Sequence, residues 1–222
     1  MKNTNIIKLI HADDHEFFRT GFRKIFESQQ FPDMSIIGEA DNGVSLIRQI
    51  EVLHPDIVLT DLKMPVMDGM EAAKRIISLF SSIKVIAFSA FENTQEVLDF
   101  IRTGARGYIL KHSTIDQVAD AIRQVSEGHL YLSPDLTETM HVSNGKSRDK
   151  KILFNAQELN VMKMICLQHT TKEISASLHL STRTVEDYRH HLQEKIGARN
   201  MVGIALYALI NEYIDPDELA DI

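Results

Sequence analysis

The chain has 222 residues, of which 44% are hydrophobic and 25% charged, and its formal net charge is -7. This composition is ordinary for a soluble globular protein and allows one or two domains. No apolar run approaches the roughly 20 residues that a membrane-spanning helix needs, and the first residues lack the apolar segment of a secretory signal. The single cysteine, Cys166, excludes an internal disulfide. We therefore expect a cytoplasmic protein.

Charge is distributed unevenly along the chain. Residues 1–145 contain 14 basic and 20 acidic residues, residues 146–214 contain 10 and 7, and residues 215–222 contain four acidic and no basic residues. The net charges of these segments are -6, +3 and -4. A mildly basic segment is thus concealed by an acidic remainder, so the overall charge does not exclude DNA binding.

The first 130 residues alternate between short apolar runs, which are typical of buried strands, and the 3–4 spacing that is typical of helices. We predict strands at 6–10, 34–40, 56–60, 84–88 and 107–110, and helices at 17–26, 44–53, 70–80, 95–102 and 115–126. Five strands that alternate with five helices predict an α/β fold with a doubly wound parallel sheet. In such folds, ligands bind beyond the carboxyl ends of the strands.

The periodic pattern is lost after this unit. Residues 131–151 are rich in polar and turn-forming residues, and we predict a linker there. Four further helices are predicted at 156–168, 172–178, 183–196 and 201–213. The predicted domains are therefore 1–130 and a small all-α domain at 152–214. An acidic tail follows at 215–222, and we expect it to be mobile.

Polar side chains follow four of the five predicted strands. Asp13 and Asp14 follow the first strand and Asp61 follows the third, while Ser89 ends the fourth and Lys111 follows the fifth. The first and third strands are neighbours in a right-handed wound sheet, so three carboxylates converge at one edge. Clustered carboxylates repel one another and need a cation, and oxygen ligands favour Mg²⁺. A single aspartate after a strand is more often a helix cap, but five such groups predict a site that holds a phosphoryl group while one aspartate attacks phosphorus.

These segments carry a family resemblance. Asp13-Asp14-His15, Asp61–Gly69, Ser89-Ala90 and Lys111 resemble the receiver domain of response regulators, and the resemblance covers residues 6–127. It implies a flavodoxin-like fold in which Asp61 accepts a phosphoryl group from a phosphohistidine of a sensor kinase.

The same resemblance implies a role for each residue of the pocket. Asp13, Asp14, Asp61 and the backbone carbonyl of Lys63 would hold Mg²⁺, and Lys111 would bind the phosphoryl oxygens. Ser89 and Tyr108 match the hydroxyl and the aromatic residue of the switch pair. A protein of this kind is a phosphoacceptor switch and not an enzyme, apart from autophosphatase character.

Two of the C-terminal helices are joined by a short link, Leu178–Ser181, whose serine can cap the second helix. That helix is long enough to enter the major groove of DNA. Thr171–Ser175, Leu180–Glu186 and Lys195–Asn200 resemble the luxR-type helix-turn-helix domain of the NarL/FixJ class of regulators, over residues 154–213. The resemblance implies a regulator of transcription that binds double-stranded DNA as a homodimer when it is phosphorylated.

The predicted recognition helix has two faces. Val185, Leu192 and Ile196 share one face with Tyr188, and we expect this face to pack inward. The candidate DNA contacts are Lys172, Arg183, Thr184, Glu186, Asp187, Arg189, His190, Lys195 and Arg199. The five basic residues of this set would meet phosphates. A groove-facing carboxylate can accept a hydrogen bond from cytosine N4, but beside phosphates it repels, so whether Glu186 and Asp187 read bases stays open.

Three alternatives follow from the same residues. The acidic residues on the groove face allow a receiver whose output domain binds protein, and retention on DNA at low salt would distinguish the two cases. A hydrolase that forms an aspartyl phosphate from small molecules would need substrate-recognition insertions, and the predicted loops are too short for them. The intact acidic pocket argues against a constitutive regulator that is never phosphorylated.

Overall fold

The structure is a computed structural model that describes residues 6–28, 30–90, 93–136, 152–198, 200–215 and 217–220. The chain divides into two compact units. Within the described ranges, the first contains the residues up to 90 together with 99–133, and the second contains 93–98 together with the residues from 134 onward. No helix in the described ranges has both the length and the apolar character that crossing a membrane requires.

The first unit is a layered α/β domain. Its described strands are β1 Ile7–Ala12, β2 Met34–Ala40, β3 Ile57–Thr60, β4 Lys84–Ser89, β5 Gly107–Leu110 and β6 Tyr131–Leu132. The described helices that alternate with these strands along the chain are α1 Glu16–Glu27, α2 Gly43–Leu53, α3 Gly69–Leu79, α4 Thr94–Ile101 and α5 Ile115–Ser126. The strands pair in parallel in the order β2-β1-β3-β4-β5-β6. The predicted doubly wound parallel sheet is confirmed.

The sixth strand corrects the predicted number of strands and the start of the predicted linker. Tyr131 and Leu132 pair with Gly107 and Tyr108, and the backbone N–H of Ser133 donates to the Tyr108 carbonyl at 3.0 Å. The sheet therefore continues where we predicted linker. A two-residue strand is too short to show an alternation of apolar and polar residues, so no periodic signal marks it. Residues 137–151 of the predicted linker lie outside the described residues.

A close backbone approach fixes the turn that follows β3. Gly69, the first residue of α3, donates its N–H to the Leu62 carbonyl at 3.1 Å. A Cβ atom at Gly69 would lie 2.9 Å from the carbonyl carbon of Asp61 and closer still to its oxygen. The adjacent Asp68 caps α3 through its side chain, which accepts from the Glu71 N–H at 2.8 Å. Glycine is thus required here for space, and the turn behind Asp61 depends on it.

We predict opposite effects on stability for two glycine-to-alanine changes. Gly69→Ala should lower the free energy of unfolding by about 1–3 kcal/mol, because the new methyl group would overlap backbone atoms. Gly21→Ala should raise it by about 1 kcal/mol, because Gly21 lies inside α1, where alanine is the better helix former, and a Cβ there meets nothing within 4 Å. Urea denaturation followed by circular dichroism measures both. A Gly69→Ala chain as stable as the wild type would contradict the close approach.

A histidine lies in the aromatic part of the core. His11, in β1, is 0% exposed, and its ring centroid lies 4.4 Å from that of Phe22 and 6.0 Å from those of Phe18 and Phe88. Neither ring nitrogen has a hydrogen-bond partner among the described residues. Burial lowers the pKa of His11 from 6.5 to about 4. His11 is therefore neutral in the folded protein near pH 7.

We predict that this histidine makes stability fall on acidification. Between pH 6.5 and about 4, the unfolded chain binds a proton that folded His11 does not, so the free energy of unfolding falls as the pH is lowered. The loss has an upper limit of about 1.4 kcal/mol per pH unit. His11→Leu should remove this part of the slope, which denaturation at a series of pH values measures. An unchanged slope in the variant would show that other groups set it.

The second unit is helical. Its described helices are α6 Ala156–Cys166, α7 Thr171–Leu178, α8 Thr182–Ile196, α9 Met201–Ile210 and α10 Asp217–Ala220. The first four confirm the four predicted helices, with ends that differ by up to three residues. Each begins at a side chain that accepts a backbone N–H, as expected of helix caps; the caps are Asn155, Thr170, Ser181 and Asn200.

The last helix corrects the expectation of a mobile acidic tail. Leu219 is 2% exposed, and the Glu218 carboxylate pairs with the Lys163 ammonium of α6. This ion pair holds the pKa of Glu218 below its usual range. The expectation, which was drawn from the terminal position of the segment, does not hold for residues 217–220, because one apolar side chain gives the segment a buried face.

Candidate functional site

The predicted carboxylates meet at the carboxyl ends of β1 and β3, which are neighbours in the sheet. The Asp61 N–H donates to the Ala12 carbonyl at 2.8 Å, which sets the end of β3 beside the end of β1. Asp13 is 0% exposed and Asp61 is 5% exposed, whereas the Asp14 side chain is 35% exposed. One fully buried, one nearly buried and one accessible carboxylate therefore line the same edge.

Lys111 neutralises part of this charge. Its ammonium lies 2.5 Å from Asp13 Oδ2 and donates to Asp61 Oδ2, and it lies 4.9 Å from the centroid of the Phe18 ring. Burial by itself lowers the pKa of Lys111, but the hydrogen bonds and charges of the two aspartates outweigh burial and raise the pKa above its usual value. The lysine is therefore charged in the folded protein and holds the two aspartates together.

Sequence reasoning missed His15 as a neighbour of the pocket. Its Nδ1 lies 2.8 Å from Asp14 Oδ1 and 3.1 Å from Asp13 Oδ1. The ligand atoms of His15, Asp13, Asp14 and Asp61 all lie within 4.8 Å of one another. The sequence signal was its position directly after the two aspartates, where it is the N-cap residue of α1.

The donor set fits a divalent cation of the magnesium type. Three carboxylates supply oxygen atoms, the preferred ligands of Mg²⁺, and a single ammonium leaves their charge incompletely balanced. Lys63 lies two residues beyond Asp61, and its N–H donates to Asp61 Oδ1 at 3.3 Å. The structure thus brings Asp13, Asp14 and Asp61 together and places the Lys63 backbone next to them.

The predicted switch pair is buried. Ser89, at the end of β4, is 0% exposed, and its carbonyl accepts from the Lys111 N–H at 2.8 Å. Ser89 therefore lies at the same edge as the pocket. Tyr108 is also 0% exposed and packs edge-on against Phe100, with ring centroids 6.0 Å apart. Any movement of this tyrosine would have to repack the core beside β5.

We predict that Lys111 and a divalent cation compete for the same carboxylates. Lys111→Met should lower the metal-free free energy of unfolding by roughly 1–3 kcal/mol, because two buried carboxylates lose their donor. The same change should tighten Mg²⁺ binding by roughly tenfold, since one repulsion between cations is removed. Isothermal titration calorimetry measures the affinity, and Lys74→Met on the exposed side of α3 is the matched control. Weaker Mg²⁺ binding by Lys111→Met would contradict the competition.

The second candidate site is α8, the predicted recognition helix. Val185 and Leu192 are 0% exposed and Ile196 is 7% exposed, so the predicted inward face is confirmed for these residues. The α7–α8 turn is held by Ser175, whose hydroxyl donates to the Leu180 carbonyl at 2.6 Å. The exposed residues on the other side of α8 include Arg183, Glu186, Asp187 and His190.

Three of the candidate DNA contacts have partners within their own domain. Arg189 donates through Nη2 to the His169 carbonyl at 3.0 Å, and its side chain is 17% exposed. Glu186 accepts from the Thr171 hydroxyl at the start of α7. Lys195 donates to the buried carboxylate of Glu158. These contacts join α8 to neighbouring parts of its domain, although Glu186 stays half exposed. The candidates Lys172, Arg183, Asp187 and His190 are exposed. Arg199 lies outside the described residues.

The partner of Lys195 is Glu158, which sequence reasoning missed. Glu158 is 2% exposed, and both of its oxygens accept from the Lys195 ammonium at 2.8 Å. Burial raises the pKa of Glu158, but Lys195, the Asn155 N–H and His191 outweigh burial and bring the pKa below its usual value. The same carboxylate completes the cap of α6 by accepting from the Asn155 N–H at 2.8 Å. Lys195 is therefore committed to this domain's own structure.

Two protein families match the two units. The family described as "Response regulator receiver domain" matches residues 9–123, and the family described as "Bacterial regulatory proteins, luxR family" matches residues 153–208. The first match contains the acidic pocket, and the second contains α7 and α8.

Similar proteins share both units. The chain is 31% identical to the oxygen regulatory protein NreC of Staphylococcus aureus strain JH9, over 94% of this chain and 100% of that protein. It is 30% identical to the response regulator GacA of Pseudomonas aeruginosa PAO1, over 95% and 99%. Among solved structures, the RcsB response regulator of Salmonella typhimurium is similar, with a TM-score of 0.57 and 23% identity over 91% of this chain and 98% of that chain. This last likeness supports the fold alone.

Proposed function

The chain belongs to the response regulators in which a receiver domain is joined to a luxR-family DNA-binding domain, and from that premise we propose that Asp61 accepts the phosphoryl group. The observation that carries this assignment is the contact of the Lys111 ammonium with Asp61 at the end of β3 and with Asp13 at the end of β1. The carboxylate can act as the nucleophile. The ammonium beside it can stabilise the negative charge that develops on the group being transferred.

The donor is a phosphohistidine of a sensor kinase. A carboxylate oxygen of Asp61 attacks phosphorus, an O–P bond forms, the N–P bond of the donor breaks, and the donor imidazole leaves with the electron pair of that bond. Lys111 then binds a phosphoryl oxygen. Asp13, Asp14, Asp61 and the Lys63 carbonyl would hold a Mg²⁺ ion, which when bound neutralises charge on the transferring phosphoryl group. Water that reaches the acyl phosphate hydrolyses it slowly, and this is the autophosphatase character.

Phosphorylation changes the charge at one buried edge of the receiver. The new group adds about -1.5 to -2 charges, and Lys111 pairs with it in place of the Asp61 carboxylate. Ser89 donates its hydroxyl to the phosphoryl group, and Tyr108 moves with it. The surface of the receiver changes as a result, and the regulator binds DNA as a homodimer.

The proposed domain limits follow the structure where it departs from the sequence prediction. The receiver comprises residues 1–130 extended to 133 by β6, and the DNA-binding domain comprises 152–214 with α10 packed against it through Lys163. The segment between them is the linker. Because DNA and a sensor kinase are the proposed partners, the proposed site of action is the cytoplasm.

Asp61→Asn tests the phosphoacceptor. Incubation of the wild-type chain with acetyl phosphate and Mg²⁺ should add one acid-labile phosphate, which intact-protein mass spectrometry counts. Asp61→Asn should abolish it, because an amide oxygen is not a comparable nucleophile. Asp68→Asn is the matched control, because asparagine caps a helix as well as aspartate does, and it should be labelled like the wild type. Undiminished labelling of Asp61→Asn would show that another residue accepts the phosphoryl group.

Glu186 gives a prediction for the DNA-binding domain. Because its carboxylate is occupied by the Thr171 hydroxyl, we expect base reading to fall on Arg183, Asp187 and His190. Glu186→Gln keeps an acceptor for Thr171 and removes a charge that repels phosphates. It should strengthen binding to every sequence by roughly 1 kcal/mol and leave the sequence preference unchanged.

Binding of matched and single-base-changed sites measures this, at several salt concentrations. Arg183→Ala is the comparison variant, and its binding should become weaker and less dependent on salt. A loss of preference at one base pair in Glu186→Gln would show instead that Glu186 reads that base.

A further inference from the structure

Arg19 reaches from α1 to the back of the acidic pocket. Its Nη1 donates to the backbone carbonyl oxygen of Asp13 at 2.5 Å. Arg19 is one turn into α1, and its own N–H donates to the His15 carbonyl at 3.1 Å. The helix therefore positions the guanidinium next to the backbone of Asp13, the residue that follows β1.

Asp13 is held at both its backbone and its side chain. Its N–H donates to the Ala40 carbonyl at 3.0 Å, and its Oδ1 accepts from the His15 N–H at 2.9 Å. Its Oδ2 contacts the Lys111 ammonium at 2.5 Å. The Arg19 guanidinium adds the contact to the carbonyl oxygen. Asp13 is the most completely buried of the three carboxylates, and four separate groups determine how it is oriented.

The carbonyl contact matters because β1 ends one residue earlier, at Ala12. The carbonyl of Asp13 therefore lies beyond the paired register of the sheet. A buried carbonyl without a donor is costly, and a peptide unit that rotates to find one would turn the attached side chain with it. A charged donor such as guanidinium makes the stronger kind of hydrogen bond.

We propose that Arg19 is a positioning residue for the metal-binding pocket: by holding the Asp13 carbonyl, it fixes the direction of the Asp13 carboxylate toward the cation. This inference rests on the proposed function, in which Asp13 is a metal ligand. Groups that orient metal ligands from outside the coordination sphere typically change metal affinity by 10–100-fold when they are removed.

The positive charge of Arg19 acts in the opposite direction. A cation near the pocket repels Mg²⁺, so loss of the charge alone would tighten metal binding. Loss of the positioning contact would weaken it. The sign of the change in affinity therefore separates a positioning role from a general charge effect.

Arg23 supplies a matched control on the same helix. It lies one turn beyond Arg19, and its Nη1 contacts the Glu39 carboxylate at 3.1 Å, while its Nε lies 3.7 Å from Glu27. Removing Arg23 takes the same charge and the same side-chain length from α1. It leaves the contacts of Asp13 in place.

The experiment is isothermal titration calorimetry of the full-length chain with MgCl₂, without a phosphoryl donor. Arg19→Met keeps an unbranched stem and a good helix former, and its Kd for Mg²⁺ should rise about tenfold. Arg23→Met should stay within about twofold of the wild type. Thermal melts show that each variant is folded. If Arg19→Met does not fold, Arg19→Gln, whose side-chain amide is two bonds shorter than the guanidinium, should weaken binding in the same direction.

Two results would overturn the role of Arg19. One is an unchanged or lower Kd in the Arg19 variant, and the other is an equal rise in Arg23→Met. A wild-type chain that binds no Mg²⁺ would instead speak against the proposed function itself, so the two failures are distinguishable.

Discussion

The receiver is organised around carboxylates that parallel pairing forces together. β1 and β3 are neighbours, so the residues that follow them meet at one edge, where Asp13 and Asp61 are almost completely buried. Buried like charges are unfavourable without a partner. The Lys111 ammonium from the end of β5 meets this requirement, and the tight turn at Gly69 gives the Asp61 backbone its place. A pocket whose carboxylates are balanced by one lysine would respond to a cation or to a phosphoryl group, because either would change that balance.

In the DNA-binding domain, too, a buried carboxylate needs a cationic partner. Glu158 is buried at the start of α6 and takes the Lys195 ammonium of α8 as its partner, while Arg189 satisfies the backbone carbonyl of His169. Two cations that charge counting assigns to phosphate contacts thus hold the recognition helix in place. The proposed attraction to DNA would then rest on fewer charges than the composition suggests, and on surface residues such as Lys172 and Arg183.

Much of the fold and the outline of the pocket were predictable from sequence. Strand and helix periods, together with the right-handed connections of parallel sheets, predicted which strands are neighbours and hence that Asp13, Asp61 and Lys111 would share an edge. The inward face of α8 was predictable for the same reason, because Val185 and Leu192 repeat at helical spacing. The helix and strand periods are short-range patterns that can be read from neighbouring residues. The order of the strands then follows from a general rule of topology.

The sequence by itself determined the alternating elements, the aspartates at the strand ends and the helix-turn-helix spacing, since each is written in short-range patterns. Only the tertiary structure decided that β6 joins the sheet, that Arg19 holds the Asp13 carbonyl and that Lys195 belongs to Glu158. The physical reason is that such contacts depend on where a side chain ends in space. Glu158 and Lys195 are 37 residues apart. Nothing in the sequence near either residue indicates that Lys195 pairs with a buried carboxylate of its own domain.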